Sequence, residues 1–160
     1  MKQSWLGVVC LAALAACGDT LVAPVAQRIK TDSMSYTAVP VGNGQVGFRV
    51  VTRFTNSTNG VATLERCVPG STTPLFEIGL ISAMSSGGSA YSPIWACVGG
   101  VSPIMVAPGA ARVDTLFLRG PTGVPTTPPN LEGTFQIEMS GVVSNQFTVK
   151  LSAGAVAPTS

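Results

Sequence analysis

"QVGFRVVTRFTN", residues 45–56, is the stretch of this sequence that decides the fold. Every second position from Val46 onward gives one side of an extended chain a mostly apolar set, formed by Val46, Phe48, Val50, Thr52 and Phe54. The other side carries Arg49 and Arg53. Because successive side chains of a strand point to opposite faces, this pattern predicts a β-strand with one buried face and one solvated face.

The stretch "GNGQVG", residues 42–47, overlaps the start of this strand. It matches the G-x-G-x-x-G pattern of dinucleotide-binding sites, but that pattern requires a helix after the glycines so that phosphate lies at the helix N-terminus. Here a strand follows instead. We therefore interpret residues 42–44 as a hairpin turn rich in Gly and Asn, and we expect no nucleotide cofactor.

Short apolar or alternating segments continue along the chain, separated by clusters of Gly, Pro, Ser, Thr and Asn that are typical of turns. The expected strands are 33–39, 61–67, 74–82, 90–97, 111–120, 133–139 and 145–151. The last two are expected to form a hairpin across "SGVVS", residues 140–144. This spacing predicts an all-β protein with a single antiparallel β-sandwich of about seven to nine strands.

Parts of the segment from about Ser33 to Leu151 resemble bacterial immunoglobulin-like and fibronectin-III-like modules. The resemblance is carried by "VVTRFTN" (50–56), "VAPGA" (106–110), "GTFQIEM" (133–139) and "FTVKL" (147–151). It implies an immunoglobulin-like β-sandwich over residues 33–152.

The chain begins with Lys2 and then twelve uncharged, mostly apolar residues, "WLGVVCLAALAA", at 5–16. As a helix this run would extend about 18 Å, which is too short for the roughly 30 Å hydrocarbon core of a bilayer. A charged start, a short apolar run and small residues at its end are typical of a secretory signal. We therefore predict an N-terminal signal helix at residues 1–16.

The tetrapeptide Leu14-Ala15-Ala16-Cys17 resembles the lipobox of bacterial lipoproteins. That resemblance implies cleavage before Cys17 and attachment of a diacylglyceryl group to its sulfur, and Gly18 implies sorting to the outer membrane. We expect a cell-envelope protein held by its lipid anchor, facing the periplasm or the cell surface. An ordinary secretory signal cut nearby and a short buried helix are the alternatives.

After cleavage, residues 17–32 are expected to be a lipidated tether and residues 153–160 a flexible tail. Loss of Lys2 lowers the formal net charge from +2 to about +1. Near-balanced charge predicts no basic patch for nucleic acid or acidic lipid, so we expect the membrane contact to be made through Cys17.

Cys67 and Cys97 are the two cysteines left once Cys10 is removed with the signal and Cys17 carries lipid. In an oxidising compartment they are expected to form a disulfide. Closing a loop of this length is worth about 3.5–4 kcal/mol in the chain-entropy model. Two buried thiols, or a redox or metal role, are the alternatives.

The sequence shows no pattern of residues typical of a catalytic or metal-binding site. The sequence contains no histidine, which excludes a Ser-His-Asp triad and histidine metal sites. Glu65, Glu77, Asp114, Glu132 and Glu138 form no acidic cluster along the sequence. The glycosylation pattern Asn56-Ser57-Thr58 is explained by turn chemistry. We predict no catalytic residues, no metal and no cofactor.

Two segments are candidate interaction surfaces. Loop 120–131, "GPTGVPTTPPNL", is long and without period, as binding loops often are. The strand through Leu116 and Leu118 is apolar on both sides, because Phe117 lies between them. Burial or a docking patch would explain it.

We expect a lipid-anchored, non-catalytic binding or adhesion module with an envelope protein or a glycan as partner, and no nucleic acid. A protease inhibitor presenting loop 120–131 is the alternative, and an enzyme with a site hidden from sequence is a third.

Overall fold

The computed structural model describes residues 26–68, 70–81, 90, 91, 93, 95–121 and 131–153. The predicted signal at 1–16, the lipid site at Cys17 and residues 122–130 of the candidate loop lie outside this part. The predicted tail 153–160 is described at residue 153 alone. Within the described residues there is no helix, and hence none that is long and apolar enough to span a membrane.

Ten strands form the regular structure of the described residues, which confirms the all-β class. Eight of them form one mixed sheet, while β4 and β6 form a separate two-stranded sheet. The strands are β1 Gln27–Thr31, β2 Ser35–Gly42, β3 Gln45–Asn56, β4 Ala62–Cys67, β5 Glu77–Leu80, β6 Val101–Val106, β7 Ala111–Gly120, β8 Gly133–Met139, β9 Val142–Val143 and β10 Phe147–Leu151.

β3 is the central strand of one half of the large sheet. It pairs with β7 along ten residues at one edge, while β1 and β2 share its other edge. The predicted apolar side is buried, since none of Val46, Phe48, Val50, Thr52 and Phe54 is more than 5% exposed. Arg49 and Arg53 are exposed, so the predicted orientation of this strand is confirmed.

The turn between β2 and β3 is the predicted Gly/Asn hairpin. Asn43 and Gly44 have φ values of 52° and 69°. Positive φ at both central residues is what a type I′ hairpin turn requires, and Asn-Gly is its preferred pair. No helix follows these glycines, so the dinucleotide pattern has no structural counterpart here.

β2 joins the two halves of the sheet, and this corrects the prediction of a purely antiparallel fold. Its first part, Ser35 to Ala38, runs parallel to β10, and its second part is antiparallel to β3. A register shift lies between Pro40 and Gly42. β1 pairs with the same edge of β3 further along, from Thr52 to Asn56.

The other half of the sheet has the order β2, β10, β8, β5. β8 and β10 pair antiparallel, as predicted, but the turn is tighter than expected because β9 pairs with β8 directly across Ser140 and Gly141. Side chains from both halves pack in one core, where the Phe48 ring lies 4.9 Å from Tyr91 and 6.4 Å from Phe147.

The strand β1 was not predicted from the sequence. Residues 27–31 were expected in the tether but form β1, which buries Ile29 against β3. Ile29 is the one buried apolar side chain of that strand. A single apolar residue gives no alternating pattern that could have predicted a strand. Residues 27–31 of the segment expected to be a tether therefore belong to the folded sheet.

The prediction of a strand at 90–97 is wrong, since no described residue of that segment is in a strand. The strand β6 lies instead at 101–106 and pairs with β4. The sequence of β6 did not look like a strand because it contains Pro103. Among the described residues β6 pairs along one edge only, and an edge strand tolerates proline.

Asn56 ends β3 as a buried hydrogen-bonding residue. Its Nδ2 donates to the carbonyls of Gly60 and Val106 at 2.8 and 2.9 Å, and its Oδ1 accepts from Thr58. Asn56 is 0% exposed. The interpretation of Asn56-Ser57-Thr58 as turn chemistry is confirmed.

The solvent side of the β1, β3 and β7 half collects positive charge, contrary to the expectation that no basic patch exists. We call this surface the basic face. It contains five of the chain's nine Lys and Arg residues, all exposed: Arg28, Lys30, Arg49, Arg53 and Arg119. The small net charge of the whole chain did not predict the basic face. Which side of the sheet a charged residue occupies is decided by strand alternation, not by net charge.

Candidate binding cleft

A cleft of about 300 Å³ opens beside the exposed side of β5 and β8. We call it the Trp95 cleft. Its lining combines three carboxylates, two aromatic rings and a tight turn: Glu65, Leu75, Phe76, Glu77, Trp95, Glu138, Ser140 and Gly141. Its volume is at the lower end of the range of small-molecule pockets, which fits one side chain or one small ring.

Trp95 is held in place from below. Its indole Nε1 donates to the carbonyl of Phe76 at 2.9 Å, and the two rings meet edge to face at 5.3 Å. Phe76 is 5% exposed whereas Trp95 is 37% exposed. The indole is therefore oriented by its hydrogen bond and its ring contact while part of its surface faces solvent.

The disulfide predicted between Cys67 and Cys97 is present, with Cα atoms 4.8 Å apart. It connects the end of β4 to the segment that carries Trp95. Backbone hydrogen bonds between Val68 and residues 99 and 100 add to this connection. Covalent and hydrogen-bonded links thus hold Trp95 beside β4, the strand that bears Glu65.

Three glutamates that are far apart in the sequence line the cleft, which corrects the expectation of no acidic cluster. Glu77 of β5 lies directly opposite Glu138 of β8 in the strand register. Glu65 is connected to the same region because its carbonyl accepts a 2.6 Å hydrogen bond from the Leu75 amide. Like charges directly opposite each other destabilise a sheet, so this pairing costs stability.

The turn at the cleft rim is a second tight hairpin. Ser140 and Gly141 both have positive φ, at 49° and 81°, again as a type I′ turn requires. The turn ends β8 immediately after Glu138 and Met139. It therefore fixes how far the strand carrying Glu138 extends along the cleft.

The chemistry available in the cleft is recognition of positive charge. An exposed indole face attracts ammonium and guanidinium groups, and carboxylates accept charge-assisted hydrogen bonds from them. In the part of the chain that the structure describes, no three Asp, Glu, Cys or His residues converge closely enough to hold a metal ion. The three glutamates therefore surround the volume of the cleft and do not converge on one common position, as metal ligands would.

The other candidate surfaces from the sequence are placed as follows. Leu116 and Leu118 are each 1% exposed and belong to the core, so burial, not docking, explains them. The ends of loop 120–131 are held by two hydrogen bonds, from Gln45 Nε2 to the Pro121 carbonyl and from the Tyr91 hydroxyl to the Leu131 carbonyl.

The hydroxyl of Tyr91 that holds the loop end stays protonated. Burial, and to a lesser degree the charge of Glu132, raise the pKa of Tyr91 above its ordinary range. Its proton is therefore retained as pH rises, and the hydroxyl donates a 2.7 Å hydrogen bond to the Leu131 carbonyl.

No protein-family model matches this sequence, and no curated protein matches it. Among solved structures, the chain resembles part of a β-glucosidase from Erythrobacter marinus, at 13% sequence identity and a TM-score of 0.36. The match covers 77% of this chain but 15% of the glucosidase chain. So distant a likeness does not bear on activity.

Proposed function

We propose that this chain is a lipid-anchored, non-catalytic binding module of the bacterial envelope that holds a cationic side chain of a partner protein in the Trp95 cleft. The observation that carries the proposal is the exposed indole of Trp95 among three carboxylates. A protein partner presenting Arg or Lys meets both the ring and the carboxylates, whereas a neutral sugar would leave the like-charged glutamates uncompensated.

Support for the anchor comes from the sequence alone. A charged start, a short apolar run and the lipobox-like Leu14-Ala15-Ala16-Cys17 stand in the order that lipoproteins use. Two or three acyl chains on one residue give stable membrane attachment, whereas one chain gives marginal attachment. Residues 18–26 then connect Cys17 to β1.

We propose further that the domain is an immunoglobulin-like sandwich. In that fold, strands A, B and E belong to one sheet and strands C, F and G to the other. The order β1, β3, β7 fits A, B, E, and the order β10, β8, β5 fits G, F, C. On this assignment β4 and β6 form a two-stranded sheet that lies outside the order of the two main sheets. This extra sheet brings Glu65 and the disulfide to the cleft.

The non-catalytic part of the proposal is supported by exposure. A carboxylic acid that donates a proton near neutral pH is usually buried in apolar surroundings. Glu65, Glu77 and Glu138 are all exposed. Their arrangement suits binding of a charge better than transfer of a proton.

The cleft is tested by intrinsic fluorescence. The sequence has two tryptophans, and Trp5 lies in the predicted signal, so residues 18–160 carry Trp95 as their one tryptophan, which is excited selectively at the red edge of the absorption band. Titration with a short Arg-containing peptide should change the emission saturably. A Glu-containing peptide and a neutral oligosaccharide should not.

Glu77→Gln combined with Glu138→Gln should weaken the response to the Arg peptide at least tenfold, whereas Lys150→Gln, an exposed change on β10, should leave it as in wild type. A response to the oligosaccharide alone would replace the cationic partner by a glycan. Inhibition in a protease panel, or turnover of nitrophenyl glycosides, would overturn the binding-module proposal in favour of an inhibitor or an enzyme.

The anchor is tested separately by Cys17→Ser. Wild-type protein should partition into detergent and carry a mass excess of several hundred daltons, consistent with two or three acyl chains. The variant should lack that excess because a serine hydroxyl does not replace the sulfur as acceptor. An unmodified, water-partitioning wild type would show that the protein is simply secreted.

A further inference from the structure

The basic face has more positive charge than its surroundings neutralise. Lys30 lies directly opposite Arg53 in the register of β1 and β3, and Arg28 follows two positions away on the same side. Among the described residues, the ion pair found is Arg112 with Asp114, which does not involve the basic face. Like charges directly opposite each other cost stability, so this surface is arranged for a negatively charged neighbour.

One acidic residue, Asp32, stands at the edge of this face, and it is engaged within the fold. Its Oδ1 accepts hydrogen bonds from the Tyr36 hydroxyl at 2.6 Å and from the Val51 amide at 3.0 Å. Its carboxylate therefore fixes the end of β1 while it offsets part of the charge of Arg49. The remaining cations point to solvent.

Apolar side chains stand between the charges. Phe117 is 49% exposed and Val113 is 56% exposed, and both lie on the solvent side of β7. Phe117 is opposite Arg49, and the Arg119 guanidinium lies 4.7 Å from the centre of its ring. Cations mixed with exposed apolar groups are typical of surfaces that lie in the interfacial layer of a membrane.

The predicted tether ends at this same surface. The described fold begins its first strand at Gln27, next to Arg28, and β1 is an edge strand of the sheet. Residues 18–26 span at most about 30 Å when extended. A domain held at Cys17 by so short a segment stays close to lipid headgroups, and the edge nearest the anchor belongs to the basic face.

From the charge and the point of attachment together, we infer that the basic face rests on anionic lipid headgroups of the membrane that holds the anchor. This docking rests on the proposed lipid anchor. Because both halves of the sheet share one core, their solvent sides point away from each other, and the Trp95 cleft is then presented away from the bilayer. The anchor confines the domain and the basic face orients it.

The test uses residues 18–160, which contain every core side chain of the described structure, without lipid on the protein. Binding is measured by co-sedimentation with vesicles of phosphatidylcholine, alone or with about 30 mol% phosphatidylglycerol. We expect binding to the anionic vesicles only, weakening between about 0.05 M and about 0.5 M salt as screening increases. Phe117→Ser should also weaken it, through lost apolar contact.

Arg53→Gln should weaken vesicle binding about fivefold, and Lys30→Gln with Arg53→Gln about 25-fold, at the usual contribution of one basic residue near an anionic surface. Lys150→Gln removes the same charge from exposed β10 and should change binding less than about twofold. An equal loss in Lys150→Gln, equal binding to neutral vesicles, or self-association of wild type that Arg53→Gln abolishes would overturn the inference.

These results are independent of the anchor and the cleft. The anchor is read from the mass at Cys17 and the cleft from Trp95 fluorescence, so either can fail while vesicle binding is still measured. Binding of residues 18–160 to anionic vesicles, combined with an unmodified Cys17 in the mature protein, would keep the lipid affinity of the basic face but overturn the anchor and the orientation that the anchor sets.

Discussion

The basic face and the Trp95 cleft lie on the solvent sides of different halves of the large sheet and carry opposite charge. Five cations gather on the first and three glutamates line the second, although the formal net charge of the whole chain is only +2. A near-balanced composition therefore does not imply an evenly charged surface. Strand register segregates the charges, because it decides which residues become neighbours.

The two regions are also built differently. The basic face lies on a continuous ladder in which β3 pairs with β7 over ten residues. The Trp95 cleft is assembled from a four-residue strand, a tight turn and a disulfide-linked segment. A long ladder distributes the effect of a substitution over many contacts, whereas the cleft depends on a few. We therefore expect most local changes to damage the cleft before the face.

Phe135→Ala should damage both regions at once, because it breaks the core that they share. Phe135 is 0% exposed and packs 5.6 Å from Tyr91 and 6.3 Å from Phe147, measured between ring centres. Truncating a buried Phe costs about 3–5 kcal/mol. Urea unfolding followed by Trp95 fluorescence should show a lower midpoint at unchanged slope. A midpoint equal to wild type would mean that the halves do not share one core.

Cys97→Ser should separate the two regions. Loss of the disulfide is expected to lower the free energy of unfolding by about 2–4 kcal/mol and to release the segment that carries Trp95. The response of Trp95 to the Arg peptide should fall, while anionic vesicles should still bind the folded fraction. Dithiothreitol added to wild type should reproduce both results. Equal loss of peptide and vesicle binding would contradict the separation.

Removing one charge from each like-charged pair should stabilise the fold slightly while weakening binding. Glu77→Gln acts on the pair with Glu138, and Lys30→Gln on the pair with Arg53. Each should raise the free energy of unfolding by about 0.2–1 kcal/mol, measured by urea denaturation at low salt.

The control for these charge changes is Lys150→Gln, because Lys150 lies opposite uncharged Thr37. It should leave stability unchanged, and the gain in the other two variants should disappear at high salt as charges are screened. Destabilisation by Glu77→Gln or Lys30→Gln would show that the paired charges make favourable contacts after all.

Tyr36 links the core to the edge of the basic face and should titrate late. Burial, followed by its hydrogen bond to Asp32, raises the pKa of Tyr36 to about 12 from 10.0. A raised pKa in the folded state means that the neutral hydroxyl contributes stability below pH 10, which is lost as pH rises toward 12. The effect is small because Tyr36 is partly exposed.

The tyrosinate absorbance measures this directly. Wild type should show little tyrosinate at pH 10, where an unfolded chain is half ionised, since the pKa of Tyr91 is raised as well. Tyr36→Phe should remove the transition near pH 12. A Tyr36 transition at pH 10 would mean that neither the burial of its ring nor its hydrogen bond to Asp32 persists in solution.

The sequence predicted those parts of the fold that a local pattern encodes. The alternation in residues 45–56 predicted which side of β3 is buried, and Asn43-Gly44 predicted the hairpin turn before it. Elimination among four cysteines predicted the bond between Cys67 and Cys97. The first two succeed because an apolar period and a turn preference are each readable within a short stretch, and the third because few cysteines remain to be paired.

The misses share a cause, since each depended on a partner strand. β1 shows no period of its own and forms because β3 offers it an edge. β6 contains Pro103 and forms because β4 pairs with it. The parallel pairing of β2 with β10 joins residues more than a hundred positions apart, which no local pattern specifies.

By itself, then, the sequence determined the all-β class, the buried side of the central strand and the disulfide. Tertiary structure alone decided the mixed pairing of the sheet, the gathering of Glu65, Glu77 and Glu138 around Trp95, and the alignment of five cations on one face. The physical reason is register. A strand fixes the side on which each of its residues lies, but only hydrogen bonding to a neighbour fixes which residues of distant strands stand opposite each other.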